Sequence, residues 1–151
     1  MRFKFSLMML FFAVVLISPP AVFAQGGVRS GPDPSTIRDP DLEKDSLHNL
    51  EVARHYFKLK KAYVAAIQRC EEIIAGNPTF SKIDEVLYIA GQSNLLLAEM
   101  KGKQKSKRTA EELRTEARMY LSLLTEEHPT SPFAKQVEAD LKALGGPVSR
   151  P

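Results

Sequence analysis

With 151 residues, 44% of them hydrophobic and 26% charged, the chain has room for one folded domain and its appendages, and its composition excludes a wholly disordered protein. Its formal charge of +3 falls to +1 when Met1 to Ala24, which carries Arg2 and Lys4 and no acid, is set aside; 19 of the 21 basic residues then face 18 acidic ones. So even a balance supplies no global field to attract nucleic acid, and no nucleic-acid partner is expected.

Residues 1–24 read as a secretory signal: a basic start at Arg2 and Lys4, an apolar run from Phe5 to Ile17, the breaker Ser18-Pro19-Pro20, and Val22-Phe23-Ala24 ahead of Gln25. Thirteen apolar residues span only about 20 Å as a helix, short of a bilayer core of about 30 Å. Cleavage is therefore expected over retention as an anchor, and the mature chain is expected to be exported, periplasmic or outer-membrane-associated. Cys70 is the only cysteine and no cysteine stands at the cleavage site, so neither an internal disulfide nor a lipid anchor is expected. The Gly- and Pro-rich stretch 25–40 reads as a flexible linker, and 146–151 as a disordered tail.

Residues 41–145 read as helices, since Ala, Leu, Glu and Lys abound and β-branched residues are sparse. Asp41 or Asp45-Ser46 can cap the first, with Leu47, Leu50, Ala53 and Phe57 at a three-to-four spacing. A second runs from Ala62 to Ala75 with Val64, Ile67, Cys70, Ile73 and Ile74 inward, stopped by Gly76-Asn77-Pro78. Thr79 or Ser81 opens a third, through Ile83, Val86, Leu87, Ala90, Leu95 and Leu97 to about Met100. After a basic break at 101–108, Thr109 begins a fourth with Glu112 as its capping-box partner, and Pro129 ends it. Its inward positions are Leu113, Ala117, Tyr120, Leu121 and Leu124. A fifth, from Ser131 and Pro132, carries Phe133, Val137, Leu141 and Leu144 and stops at Gly145-Gly146. Short loops make neighbouring helices antiparallel hairpins, so the fold class is all-α with about five helices.

The hairpins repeat. Four, seven and twelve residues after Ala66 stand Cys70, Ile73 and Pro78; at the same offsets after Ala117 stand Leu121, Leu124 and Pro129. This is the spacing of a tetratricopeptide repeat, whose first helix carries a small residue and then an aromatic, and whose second carries an alanine and a closing proline. The first unit departs from it at Arg54, where a small residue is usual. The second has Ala90 and Gly91 in place, but fourteen extra residues lie between Gly91 and Ala117. A short right-handed solenoid is the expected arrangement, with the polar fifth helix as its cap, presenting Lys135, Gln136, Glu138, Asp140 and Lys142 outward.

The stretch Val52 to Ile67, together with Val86-Leu87-Tyr88 and His128-Pro129-Thr130-Ser131-Pro132-Phe133-Ala134, resembles one group within that class. It is similar to the outer-membrane assembly lipoproteins of the BamD type, which help insert β-barrel proteins into the outer membrane. The resemblance spans residues 46–144. It implies a protein-binding scaffold of the cell envelope whose partner is a protein or peptide, barrel-assembly components among them. The chain departs from that family in having Gln25 in place of the lipid-bearing cysteine, and in having fewer repeats.

In repeats of this class the first helix of each hairpin lines a concave groove. That places His48, Glu51, His55 and Lys58 of the first unit, and Glu85, Tyr88, Gln92 and Leu95 of the second, on a partner-binding surface; Tyr88 and Leu95 are costly to leave wet without a cover. No paired catalytic carboxylates, Ser-His-Asp order or phosphate loop is visible, so no enzyme and no cofactor are expected. His48 and His55 lack a carboxylate or cysteine pattern for a metal, although they leave a small cofactor-binding helical bundle as a further alternative. Lys101, Lys103, Lys105, Lys107 and Arg108 read either as a self-repelling soluble loop partly neutralised by Glu111 and Glu112, or as a contact for anionic lipid. The second reading gives an alternative function, a non-lipidated structural envelope protein held near the membrane or cell wall.

Overall fold

The computed structural model describes residues 39–148, all within one unit, Gly31–Pro151. The signal read at 1–24, nearly all of the linker and the last three residues of the tail lie outside the described residues. Five helices follow in order: α1 (Pro40–Arg54), α2 (Tyr63–Gly76), α3 (Ile83–Ala98), α4 (Ala110–Glu127) and α5 (Ala134–Ala143), and no strand occurs among the described residues. Each helix packs chiefly on its sequence neighbours, as hairpins do, and α1 also touches α3.

The start of α1 differs from the sequence expectation. Its cap is Asp39, whose carboxylate accepts from the Asp41 N–H at 2.8 Å, in place of Asp41 or Asp45-Ser46. Pro40 is the reason: it holds Asp39 in an extended conformation and is itself preset for the first helical position. Ser46 has another task. Its hydroxyl donates to the Leu42 carbonyl at 2.7 Å and accepts from the Asn77 amide at 3.1 Å, tying α1 to the turn after α2.

Beyond Arg54 the helix widens into a π-helical turn, His55–Lys60, ended by Lys61 in the left-handed region. The Ala62 N–H closes the turn onto the Tyr56 carbonyl at 3.0 Å. Tyr56 and Phe57, adjacent in sequence, both pack on the core here, and the Phe57 ring meets that of Tyr63 at 5.9 Å between centroids. Hydrophobic spacing carries no mark of such a bulge, because it inserts one residue into a single turn.

Helix α3 is the centre of the molecule. Val86, Ile89 and Ala90 join Leu50, Ala53, Ala66, Cys70, Ile73 and Phe80 in one cluster. Leu87 joins Leu121, Leu124, Val137 and Leu141 in another. It begins at Ile83, not at Thr79 or Ser81. The buried Phe80 ring anchors the preceding turn, and the Ser81 N–H faces the Glu43 carboxylate at 3.3 Å. The fifth helix likewise begins at Ala134; in the turn before it Ser131 donates its hydroxyl to Asp84 at 2.7 Å and accepts from the Phe133 N–H at 3.3 Å.

Ala66 and Ala117, the two alanines that set the repeat register, are fully buried. So is the crossing beside Ala117, where Gly91 of α3 faces α4. A Cβ added at Gly91 would lie 2.5 Å from Leu121 Cδ2 and 2.7 Å from its Cγ. Thr109 caps α4 through the expected capping box with Glu112. The tail expectation is corrected at its start: Arg118 donates to the Gly146 carbonyl at 2.5 Å, and the Val148 N–H donates to Ser122 Oγ at 2.9 Å.

Two effects oppose each other in Gly91→Ala. Helix propensity favours alanine by about 1 kcal/mol, while overpacking a closed crossing costs about 1–3 kcal/mol. Leu121 is fully enclosed and cannot swing away, so the clash dominates. A net loss of up to about 2 kcal/mol is expected in urea unfolding with an unchanged m-value; a higher midpoint would show that α3 and α4 part freely.

Candidate binding face

The first helices of the successive hairpins, α1, α3 and α5, are braced to one another by side chains. Arg54 grips Glu85 with two prongs, Nε to Oε1 at 2.6 Å and Nη2 to Oε2 at 2.5 Å. That hydrogen bond, with the charges of Glu85 and Glu51, holds the Arg54 guanidinium above its usual range. The residue that breaks the repeat pattern is thus the one that joins α1 to α3. The side chains of this pair remain 31% and 17% exposed, so the brace is open to solvent on one side.

Further along α3, the Tyr88 ring stacks on Phe133, the residue that precedes α5, 4.4 Å between centroids and 13° from parallel. Its hydroxyl bonds to Gln136, and burial pushes its pKa up. Gln92 donates to Asp140 at 2.5 Å, and half-buried Leu95 packs on the cluster that contains Val137 and Leu141. The cover that Tyr88 and Leu95 require is therefore supplied by the chain's own α5. Of the five residues expected to face outward from α5, Lys135, Gln136, Glu138 and Lys142 are exposed, Gln136 while bonded to Tyr88, and only Asp140 differs, half-buried against Gln92.

Of the remaining expected groove residues, His48, Glu51, His55 and Lys58 are all exposed on α1 and its π-helical turn. Leu47, four residues before Glu51 and seven before Arg54, shares their strip of the helix and is 36% exposed. The structure brings together Glu51, Arg54 and Glu85, and separately Tyr88 and Gln92 with α5. Arg54, Phe133 and Gln136 are members of the face that repeat spacing alone does not single out; the only signal was the misfit of an arginine at a small-residue position. Among the described residues no three His, Cys, Asp or Glu side chains group as a metal site.

Cys70 is buried in the first core cluster, and burial drives its thiol up to about 12; Tyr120, half-buried beside Glu71, is also pushed to about 12, chiefly by burial. Neither group is poised for chemistry near neutral pH.

The basic segment 101–108 is not a loose loop. Gly102, at φ +99, lies so close to the Tyr63 ring that an added Cβ would come within 2.6 Å of it. The Lys103 N–H donates to the Lys61 carbonyl at 3.1 Å, and Gln104 accepts from the Ala65 N–H at 3.2 Å. Gln104 thereby supplies the cap that α2 lacks, since Ala62 has no side-chain oxygen. The expected neutralisation is met in part by Glu112, which is engaged with Thr109 and also feels the charge of Arg108. Arg108 pairs with Glu116 and Lys101 with Glu99, while Glu111 binds Arg114 instead. Lys103, Lys105 and Lys107 form no ion pair among the described residues. Under the segment lies an open cleft of about 410 Å³, with Leu97, Ala98 and Leu113 in its lining and Lys103, Lys105 and Arg108 around it.

No helix among the described residues is long and apolar enough to cross a membrane. Comparison of the chain with protein-family models, with curated proteins and with solved structures finds no match.

Two measurements test this arrangement. A double-mutant cycle on Arg54→Ala and Glu85→Ala should give a coupling of about 1 kcal/mol that declines with salt, as for a partly exposed bidentate pair; simple additivity would remove the brace. Folded Cys70 and Tyr120 keep protons that the unfolded chain releases near its ordinary values of 9.0 and 10.0. Their contribution to stability is complete below about pH 9 and is lost as pH rises toward 12. The unfolding midpoint should therefore fall above pH 9, and iodoacetamide at pH 8.5 should label Cys70 only in denaturant. A flat alkaline profile with rapid native labelling would contradict its burial.

Proposed function

We propose that this protein is a non-enzymatic, helical-repeat scaffold of the bacterial cell envelope, exported without a lipid anchor and similar in role to the BamD-type assembly lipoproteins. It holds an extended segment of a protein partner along the inner face formed by α1, α3 and α5, stacked as in a tetratricopeptide solenoid. Barrel-assembly components are the partners to which the family resemblance leads.

The observation that carries the reading is the continuity of that face. Arg54–Glu85 and Gln92–Asp140 brace three helices into one surface, and Leu47 stands uncovered beside Glu51 at its edge. A rigid surface of this kind loses little conformational entropy on binding. Leu47 offers apolar area, while Glu51, His55 and the open side of the Arg54–Glu85 pair set register by charge and hydrogen bonding.

Tyr88 is held on Phe133, so removing it would lower stability along with binding. Leu47 and Glu51 separate the two effects because neither is part of the core. In native-envelope crosslinking followed by affinity capture, Leu47→Asp with Glu51→Lys should weaken recovery of the partner at least about tenfold, with an unchanged helical spectrum. Recovery equal to that of the parent chain would remove the inner face from the proposal.

A further inference from the structure

At one edge of the domain the π-helical turn meets the segment after α3. Two basic stretches distant in sequence, Lys58-Leu59-Lys60-Lys61 and Met100 to Arg108, are joined there by the bond from the Lys103 N–H to the Lys61 carbonyl. Together with Glu99, and with Glu116 that pairs with Arg108, they contain eight cations and two carboxylates. Residues 39–148 as a whole contain sixteen Lys and Arg against seventeen Asp and Glu, so the rest of the domain holds eight cations against fifteen carboxylates. A domain near neutrality overall is thus strongly polarised, with one cationic edge.

That edge also bears the two most exposed large apolar side chains among the described residues. Leu59, between Lys58 and Lys60, is 71% exposed, and Met100, beside Lys101, is 92% exposed. Lysines at helix C-termini complement the helix dipole, and this accounts for one or two of them. It does not account for eight cations, or for leaving a leucine and a methionine in water between them.

We infer that this composite edge docks the domain on an anionic phospholipid surface, with the lysines over the headgroups and Leu59 and Met100 entering the interface. Seven of the eight cations are lysines, point charges on flexible stems that suit mobile phosphates better than the fixed fork of arginine does. Cationic residues near the surface and apolar side chains in the headgroup boundary are the two contributions that bind peripheral proteins to such membranes. The acidic remainder is repelled from the same surface, which orients the domain with this edge down. The site is separate from the inner face and does not depend on the scaffold reading.

The test is flotation of the full chain with phosphatidylcholine vesicles, with and without phosphatidylglycerol; the readout is the gain in binding from the anionic lipid, which discounts any contribution of the apolar run at residues 5–17. Binding should rise with phosphatidylglycerol and fall with added salt. Lys58→Ser with Lys60→Ser and Lys61→Ser should weaken it by about fivefold per cation removed, and so should Lys101→Ser with Lys103→Ser and Lys105→Ser. Leu59→Ser with Met100→Ser should lower binding while leaving its salt dependence intact. Gly102→Val keeps every charge but forces the segment off Tyr63, and it too should weaken binding. All four variants are compared at an unchanged helical spectrum. No gain from phosphatidylglycerol, full binding after loss of either lysine cluster, or an unaltered Leu59/Met100 variant would overturn the proposal. Competition by monomeric dihexanoylphosphatidylglycerol would also overturn it, because a single lipid would then be held in the cleft beneath the segment. So would loss of the gain when an acidic polypeptide occupies the edge more tightly than the vesicles do.

Discussion

The architecture depends on how closely α3 can approach the helices on either side of it. Gly91 has no side chain because Leu121 of α4 fills the space where one would stand. On the other side Ala90 packs in one cluster with Ala53 and Ala66, three residues with only a methyl group each. Where side chains end at Cβ or earlier, helix backbones come near enough for the larger neighbours, Cys70, Ile73, Leu121 and Leu124, to interlock around the crossing. With α3 held from both sides, α1 and α5 are placed relative to one another although they make no extended contact of their own.

The polar face follows from that placement. Arg54 stands where a small residue would let the first two hairpins pack closer, and its long side chain crosses the gap to Glu85. Gln92 and Tyr88 make the corresponding connections to α5 through Asp140 and Phe133. The face is stiff because each brace joins two helices that the buried alanines already fix. In the scaffold we propose, a partner would meet the exposed edges of these side chains and the unengaged residues between them, Leu47 and Glu51 above all.

Helix number, helix class and the buried stripes were legible from spacing. Ala66, Cys70, Ile73, Ala117, Leu121 and Leu124 recur at helical intervals, and an apolar stripe needs a neighbour to bury against. The capping box at Thr109 was legible because it lies within four residues. The cap of α1 was misplaced by two residues or more because Asp39, Asp41 and Asp45 each carry a carboxylate suited to the task, and Pro40 decided among them. Phe80 and the π-helical turn were not legible, since one lies in a turn and the other breaks the period. Of the candidate face, the exposed positions on α1 could be read by repeat register. The engagement of Tyr88, Gln92 and Glu85 could not, because their partners lie 31 to 48 residues away in the chain.

By itself the sequence determined what is local: five helices, their breakers, the residues each must hide, and the register that pairs Ala66 with Ala117. Those follow from backbone preferences and from a period of 3.6 residues, which act over a few turns. Only the tertiary structure decided which polar groups meet. The insertion after α3 read either as a self-repelling loop or as a contact for anionic lipid; folded, it lies on Tyr63, caps α2 through Gln104 and brings Lys103 against Lys61. Charge repulsion along a chain is a property of sequence, but a docked glycine and two hydrogen bonds outweigh it, and they exist only once the hairpins have packed.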